Sequence, residues 1–253
     1  MLEGPYDDRP TRIVREGAPG QGKSTITQYI CQVNRLKLLS HQDIAKLPDK
    51  HRDAPLRIPF RIDLRDFASW LSGKNPFAQD AQSPAVSTGS LESFIAAQVT
   101  HSSGGQTFSA SDLISIAKNG HISIVLDGFD EVADVPTRRR VVDEITKAAI
   151  RIGAHEQSVQ VIVTSRPAAF ANSPGFPHAD WIHLEIQSMT PAQIDEYSRK
   201  WMSARHLQPR ERIEFAKLLK EKLEQPHMRD LARNPMQLTI LLADTHSLAF
   251  TSR

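Results

Sequence analysis

Hydrophobic positions along the chain follow two periods, and where one gives way the chain divides. Arg12-Ile13-Val14-Arg15 reads as a short strand starting near Thr11. Beyond it, Ile26, Ile30 and Val33 recur at the spacing of one helix face. Residues 36–56 are polar and read as a helix, then a turn around Pro48-Asp49. From Leu56 to Leu64 the period is two, with Ile58, Phe60, Ile62 and Leu64 on one face. Pro59 lies inside that strand and cannot donate a ladder hydrogen bond, so the strand belongs at a sheet edge. Residues 72–90 are rich in Gly, Ser, Pro, Asn and Gln and read as a loop. Leu91–Val99 reads as helix, Ser102-Ser103-Gly104-Gly105 breaks it, and Ser111–Lys118 resumes it.

The next segments carry the strongest apolar runs. His121–Leu126, ending in Asp127, and Val159–Thr164 have the pattern of buried parallel strands. Between them Thr137–Ile152 is amphipathic, with Val141, Ile145, Ala148 and Ile152 facing inward. Residues 167–180 read as a loop, and Trp181–Ile186 as a last strand. From Thr190 onward only the helical period remains. Thr190-Pro191-Ala192-Gln193 supplies an N-cap, a proline at the first helical position and a glutamine closing a capping box. Ile194, Tyr197 and Trp201 line one helix, and Ile213, Ala216, Leu219 and Leu223 a second. Asn234-Pro235 starts a third, through Leu238, Ile240, Leu241 and Leu242. Strands alternating with helices, then helices alone, predict an α/β parallel-sheet domain over residues 1–187 and a small helical domain over 188–253.

Composition narrows the picture little. The chain has 253 residues, 40% hydrophobic and 24% charged, ordinary for a globular protein. A net charge of +2 gives no electrostatic argument for nucleic acid or a membrane surface. Cys31 stands alone, so no internal disulfide forms, which fits a reducing cytoplasm. The acidic, proline-containing start does not read as a secretory leader, and no apolar run reaches the ~18 residues of a membrane span. The histidines show no metal-ligand spacing.

Chemistry enters at Gly17-Ala18-Pro19-Gly20-Gln21-Gly22-Lys23-Ser24, which fits G-x-x-x-x-G-K-[ST], the phosphate-binding loop. Gly17, Pro19, Gly20, Gln21, Gly22 and Thr25 would cradle phosphates, the glycines letting backbone N–H groups close on the oxygens. Lys23 supplies a charge for the β- and γ-phosphates and Ser24 a hydroxyl for Mg²⁺. Ile122-Ser123-Ile124-Val125-Leu126-Asp127 is a buried strand ending in a carboxylate, the Walker B pattern that holds the same metal. Asp130 and Glu131 follow where a carboxylate can polarise an attacking water. Val161-Ile162-Val163-Thr164-Ser165-Arg166-Pro167 ends in a cation, and Arg166 is suited to sense a γ-phosphate. Arg138-Arg139-Arg140 reads as a solvated helix face, with a contact between subunits or an arginine supplied in trans as the sharper alternative.

Together GAPGQGKST, LDGFDE and TSRP resemble the NACHT group of signal-transduction (STAND) NTPases. Gly128 matches the family's small residue after the metal-binding Asp, and Asp130-Glu131 its acidic pair. Ile62-Asp63-Leu64-Arg65-Asp66-Phe67 resembles the family's strand that ends in a Leu-Arg-Asp turn. Asn234-Pro235-Met236-Gln237-Leu238 resembles its helical segment, which implies that Pro235 lies near the adenine. The resemblance spans about residues 11–245. It implies a three-layer P-loop NTPase fold with strand order 2-3-4-1-5, ATP or ADP with Mg²⁺ as ligand, and slow ATPase activity. It further implies a nucleotide-dependent switch that self-associates within a longer cytoplasmic sensor of immune or conflict signalling, of which these residues would be a module. The departures are a winged-helix domain, an effector domain and a repeat sensor, none present in these residues. The alternatives are a nucleotide-locked scaffold that does not turn over and a small-molecule kinase. The kinase needs an Arg-rich lid that the sequence does not show.

Overall fold

The computed structural model describes residues 12–78, 89–154, 159–170 and 175–250. Five parallel strands make one sheet in the order β2-β3-β4-β1-β5. They are β1 (Arg12–Glu16), β2 (Ile58–Asp63), β3 (Ile122–Asp127), β4 (Val159–Ser165) and β5 (Ile182–Glu185). The expected edge position of β2 is observed, and Pro59 lies opposite Ser123 of β3. Every residue of β3 and of β4 is buried, as central strands covered on both faces must be. The other edge, β5, is largely exposed. Thr11, the expected first residue of β1, lies outside the described residues.

Alternation along the strands sorts their side chains into two cores and so makes three layers. Ile13, Val125 and Ile162 face one way and meet Ile30 of α1 (Lys23–Leu38), with Ile26 and Cys31 alongside. Val14, Ile124, Leu126, Val161 and Val163 face the other way. They meet α3 (Leu64–Leu71), α4 (Leu91–Ser102), α5 (Ala110–Asn119) and α6 (Val135–Gly153). The predicted inward stripe of α6 holds, since Val141, Ile145, Ala148 and Ile152 are fully buried. Burying Ile30 and Val33 stabilises the α1 layer by roughly 1.5–3 kcal/mol each.

Two buried polar groups tie these layers together. Asn34 of α1 accepts a hydrogen bond from the Arg57 backbone N (2.8 Å) and donates to Ile30 O (2.9 Å), which fixes the start of β2. Arg151 of α6 grips both oxygens of the buried Glu92 carboxylate at 2.7 Å and also reaches Glu144. Burial pushes the Glu92 carboxyl up, but those hydrogen bonds outweigh it and hold the group below the ordinary glutamate value.

Several local expectations need correction. Pro48-Asp49 is not a free turn, because Pro48 precedes a short helix, α2 (Asp49–Arg52). Leu64 is the first residue of α3 rather than the last of a strand, since the Asp63 side chain caps the Arg65 N–H. The loop after β4 opens with a 3-10 turn at Pro167–Phe170, and residues 79–88 and 171–174 of the expected loops lie outside the described residues.

The described residues divide into two compact units. One holds the residues up to Gly17 together with Lys23–Glu185, and the other joins Ala18–Gly22 to the residues from Ile186 onward. In the second, α7 (Pro191–Ala204), α8 (Pro209–Glu224), α9 (Pro226–Ala232) and α10 (Pro235–Phe250) enclose Ile194, Phe215, Leu219, Leu238 and Leu242. The predicted capping box at Thr190 and Gln193 forms. Helix α9 was not anticipated, although Pro226 at its first position is the sequence signal for it. The predicted face of α8 is wrong at two positions. Ile213 is 75% exposed and Ala216 is exposed, while Phe215 is fully buried and stacks on Trp201 at 5.6 Å. Ile240 of α10 likewise faces solvent, at 56% exposed.

Candidate functional site

The C-terminal ends of β1, β3 and β4 lie side by side in the sheet, so the segments leaving them converge. Gly17 N donates to Ser165 O (3.1 Å), anchoring the glycine-rich loop to the end of β4. Lys23 and Ser24 open α1 directly after that loop.

Asp127, at the end of β3, is only 7% exposed and receives hydrogen bonds on both oxygens. Thr164 of β4 donates to Oδ1 at 2.6 Å, and Ser24 donates to the same oxygen at 3.3 Å. Arg61 of β2 donates to Oδ2 at 2.7 Å, with Thr27 at 3.5 Å. The Thr164 hydroxyl also accepts from the Gly128 N–H at 3.0 Å, joining the strand end to the turn that follows. Gly128 has φ +82°, in the left-handed region, and the Glu131 side chain lies against it. A β-carbon there would sit 3.4 Å from Glu131 Cδ, an ordinary contact, so it is the left-handed backbone that calls for glycine.

A second ion pair stands beside the first. Arg166 Nε meets Asp130 Oδ2 at 2.7 Å, and its backbone N donates to Asp130 Oδ1 at 3.2 Å. Lys23 Nζ donates to Gly17 O at 2.7 Å, folding the side chain back along its own loop. Burial pushes the Lys23 ammonium below the ordinary lysine value; Asp130 and Asp127 pull it back up, and Arg166 pushes it down. Those mutual influences put Lys23, Asp127, Asp130 and Arg166 in one electrostatic neighbourhood. Glu131 and Thr25 are both exposed.

In the second unit, the loop residues Pro19, Gly20, Gln21 and Gly22 meet the start of α10. Asn234 Nδ2 donates to Pro19 O (2.9 Å), and Met236 N donates to Gly20 O (3.2 Å). The Asn234 Oδ1 caps α10 by accepting from Met236 N and Gln237 N. Gly20 (φ +77°) and Gly22 (φ +85°) adopt the left-handed conformation the motif asks of its glycines. Gln21 Oε1 accepts from the Ala18 N–H at 2.6 Å. Pro235, the first residue of α10, is half-buried.

The donor set suits a magnesium nucleotide. Ser24 and Asp127 offer only oxygens, the hard ligands Mg²⁺ takes, and stand within hydrogen-bond reach of each other. Among the described residues no group of three or more His, Cys, Asp or Glu could hold a metal ion. A divalent cation at Asp127 would therefore complete its shell from phosphate oxygens and water.

Four participants escaped the sequence reading. Arg61, Thr164 and Asn234 are described above. The fourth is Arg138, expected to be solvated, which instead binds Val132 O (2.9 Å), Ala169 O (3.4 Å) and Asp130 O (3.4 Å), bracing the turn after β3. The available signal for Arg61 was a charge within the edge strand, two residues before Asp63 and so on the same face.

Comparison with known proteins gives one family match. The family model described as NACHT domain matches residues 76–205, just over half of the chain. No protein with a curated description matches the sequence. Among solved structures, the chain is similar to the Aeropyrum pernix ORC1 protein in complex with DNA. The identity is 15% and the TM-score 0.48, over 97% of this chain and 56% of that one. It is also similar to Drosophila ORC bound to DNA, at 13% identity and TM-score 0.40, over 100% of this chain and 54% of that one. The chain thus spans little more than half the length of either. Among the described residues no helix is long and apolar enough to cross a membrane.

Proposed function

Because the chain belongs to the NACHT family of P-loop NTPases, we propose that it binds ATP and ADP with Mg²⁺ and works as a nucleotide-dependent switch. The observation that carries this reading is the hydrogen bond from Ser24, next to Lys23 at the start of α1, to Asp127 at the end of β3. Gly17, Pro19, Gly20, Gln21, Gly22 and Thr25 are assigned the phosphates, together with Lys23. Ser24 and Asp127 are assigned the metal. Asp130 or Glu131 orients the attacking water, Arg166 reports the γ-phosphate, and Pro235 contacts the base. Bound Mg²⁺ supplies charge neutralisation at the phosphates. The chain's own groups position the phosphates and the water, which is most of what phosphoryl transfer requires. Slow hydrolysis, self-association in a longer cytoplasmic protein and a role in immune or conflict signalling complete the proposal. A switch of this kind requires that triphosphate and diphosphate favour different states by different affinities.

One observation favours a second reading, a nucleotide-locked scaffold. Asp130 and Arg166, two of the groups assigned to hydrolysis, are paired with each other at 2.7 Å. Alanine at Asp130 and Glu131 separates the two readings, since unchanged hydrolysis and unchanged assembly would rule out switching by turnover. The proposal as a whole is tested by identifying the nucleotide that copurifies, with Lys23→Ala as control. Nucleotide in the wild type and its loss in a folded Lys23→Ala protein are expected. Absence of any nucleotide and of measurable affinity would reject both readings.

A further inference from the structure

The pairing of Arg61 with Asp127 bears on how metal enters the site. Strands β2 and β3 run parallel with Asp63 opposite Asp127 and Arg61 opposite Val125. Arg61 is thus two residues short of the level of the carboxylate, on the face that Asp63 shares, and its long side chain spans that offset. It delivers a guanidinium nitrogen to Asp127 Oδ2 at 2.7 Å. Thr164 and Ser24 occupy Oδ1, so Oδ2 is the oxygen that a fixed positive charge holds. The Asp127 side chain is 8% exposed, whereas that of Arg61 is 40% exposed, so the arginine has solvent to move into and the carboxylate does not. The Arg61 main chain is steadied separately, its carbonyl accepting from Gln98 Nε2 at 2.9 Å.

We propose that Arg61 is a positioning residue that takes the place of the divalent cation at Asp127 Oδ2, so that binding of magnesium nucleotide displaces its guanidinium. The inference rests on the functional reading above, in which Asp127 serves the metal. Two cations competing for one carboxylate oxygen give a simple linkage. The arginine keeps the buried carboxylate compensated and oriented while no metal is present, and raises the Mg²⁺ concentration needed for tight nucleotide binding. Such a device couples release of nucleotide to loss of metal, because Arg61 re-engages Asp127 as the cation leaves.

The test is binding of a fluorescent ADP analogue titrated with Mg²⁺ in metal-buffered solution, for wild type, Arg61→Met and Arg61→Gln. In Arg61→Met the half-saturating Mg²⁺ is expected to fall about two- to fivefold, the scale of a partly exposed ion pair. Affinity measured in excess chelator should change little. Arg61→Gln, which keeps a hydrogen-bond donor without the charge, should fall between, and it carries the test if the methionine variant does not fold. An unchanged or increased Mg²⁺ requirement in a folded variant overturns the proposal while leaving nucleotide binding intact. Failure of the wild type to bind the analogue at any Mg²⁺ concentration overturns the functional reading, and this inference with it.

Discussion

Replacing Thr164 by valine isolates one buried hydroxyl at the centre of the site. Thr164 is fully buried, and valine keeps its shape, so no cavity opens. What disappears is a hydroxyl that donates to Asp127 at 2.6 Å and accepts from the Gly128 N–H at 3.0 Å. A hydrogen bond to a charged group contributes ~1.5–3 kcal/mol, and an N–H left without an acceptor costs about 1–3 kcal/mol. Asp127 retains Arg61, and Gly128 is half-buried, so water recovers part of the second loss. The net destabilisation is about 3 kcal/mol. For a domain of this size that lowers the melting temperature by roughly 6–12 °C. Urea unfolding followed by circular dichroism measures it, and Thr164→Ser should restore most of the loss. A Thr164→Val protein within ~0.5 kcal/mol of wild type would show that the network does not orient Asp127 as argued.

Three further outcomes follow from other parts of the molecule. Gly20→Ala forces a β-carbon to 2.8 Å from Asn234 Oδ1 and 2.9 Å from Met236 Cβ at a φ of +77°. It should cost about 2 kcal/mol or more, and wild-type stability in a melting curve would contradict the geometry. Phe215→Ala should cost ~3–5 kcal/mol and Ile213→Ser less than ~0.5. Comparable losses at both positions would mean that α8 buries the other face. Burial pushes the Cys31 thiol up to about 11, with Arg61 opposing and Asp127 adding to the rise. Because the thiol is harder to ionise when folded, its contribution to stability is complete below pH 9 and declines as pH rises toward 11. Native-state alkylation near pH 8 should therefore run ~100-fold slower than in urea, and equal rates in the two states would refute the assignment.

Much of the architecture was written in local patterns. Pro59 forced β2 to an edge because a proline nitrogen has no hydrogen to give, and the sheet order agrees. The unbroken apolar runs of β3 and β4 required burial on both faces, and both strands are buried throughout. The glycines of the phosphate loop, the capping box at Thr190 and the inward stripe of α6 were equally legible, each being a demand that neighbouring residues make on one another. The partners of the site's charges were not. Arg61 meets Asp127 across 66 positions of sequence, and Arg166 turns to Asp130 across 36. Those meetings depend on the register between strands, which no local period specifies. Helix α8 shows the same limit in a helix: both Ile213 and Phe215 are apolar, and only the surrounding helices decide that the phenylalanine is enclosed and the isoleucine is left to solvent. Short-range preferences therefore set which elements form and where the phosphate loop lies. The pairing of charges around Asp127 is settled only when the strands come together.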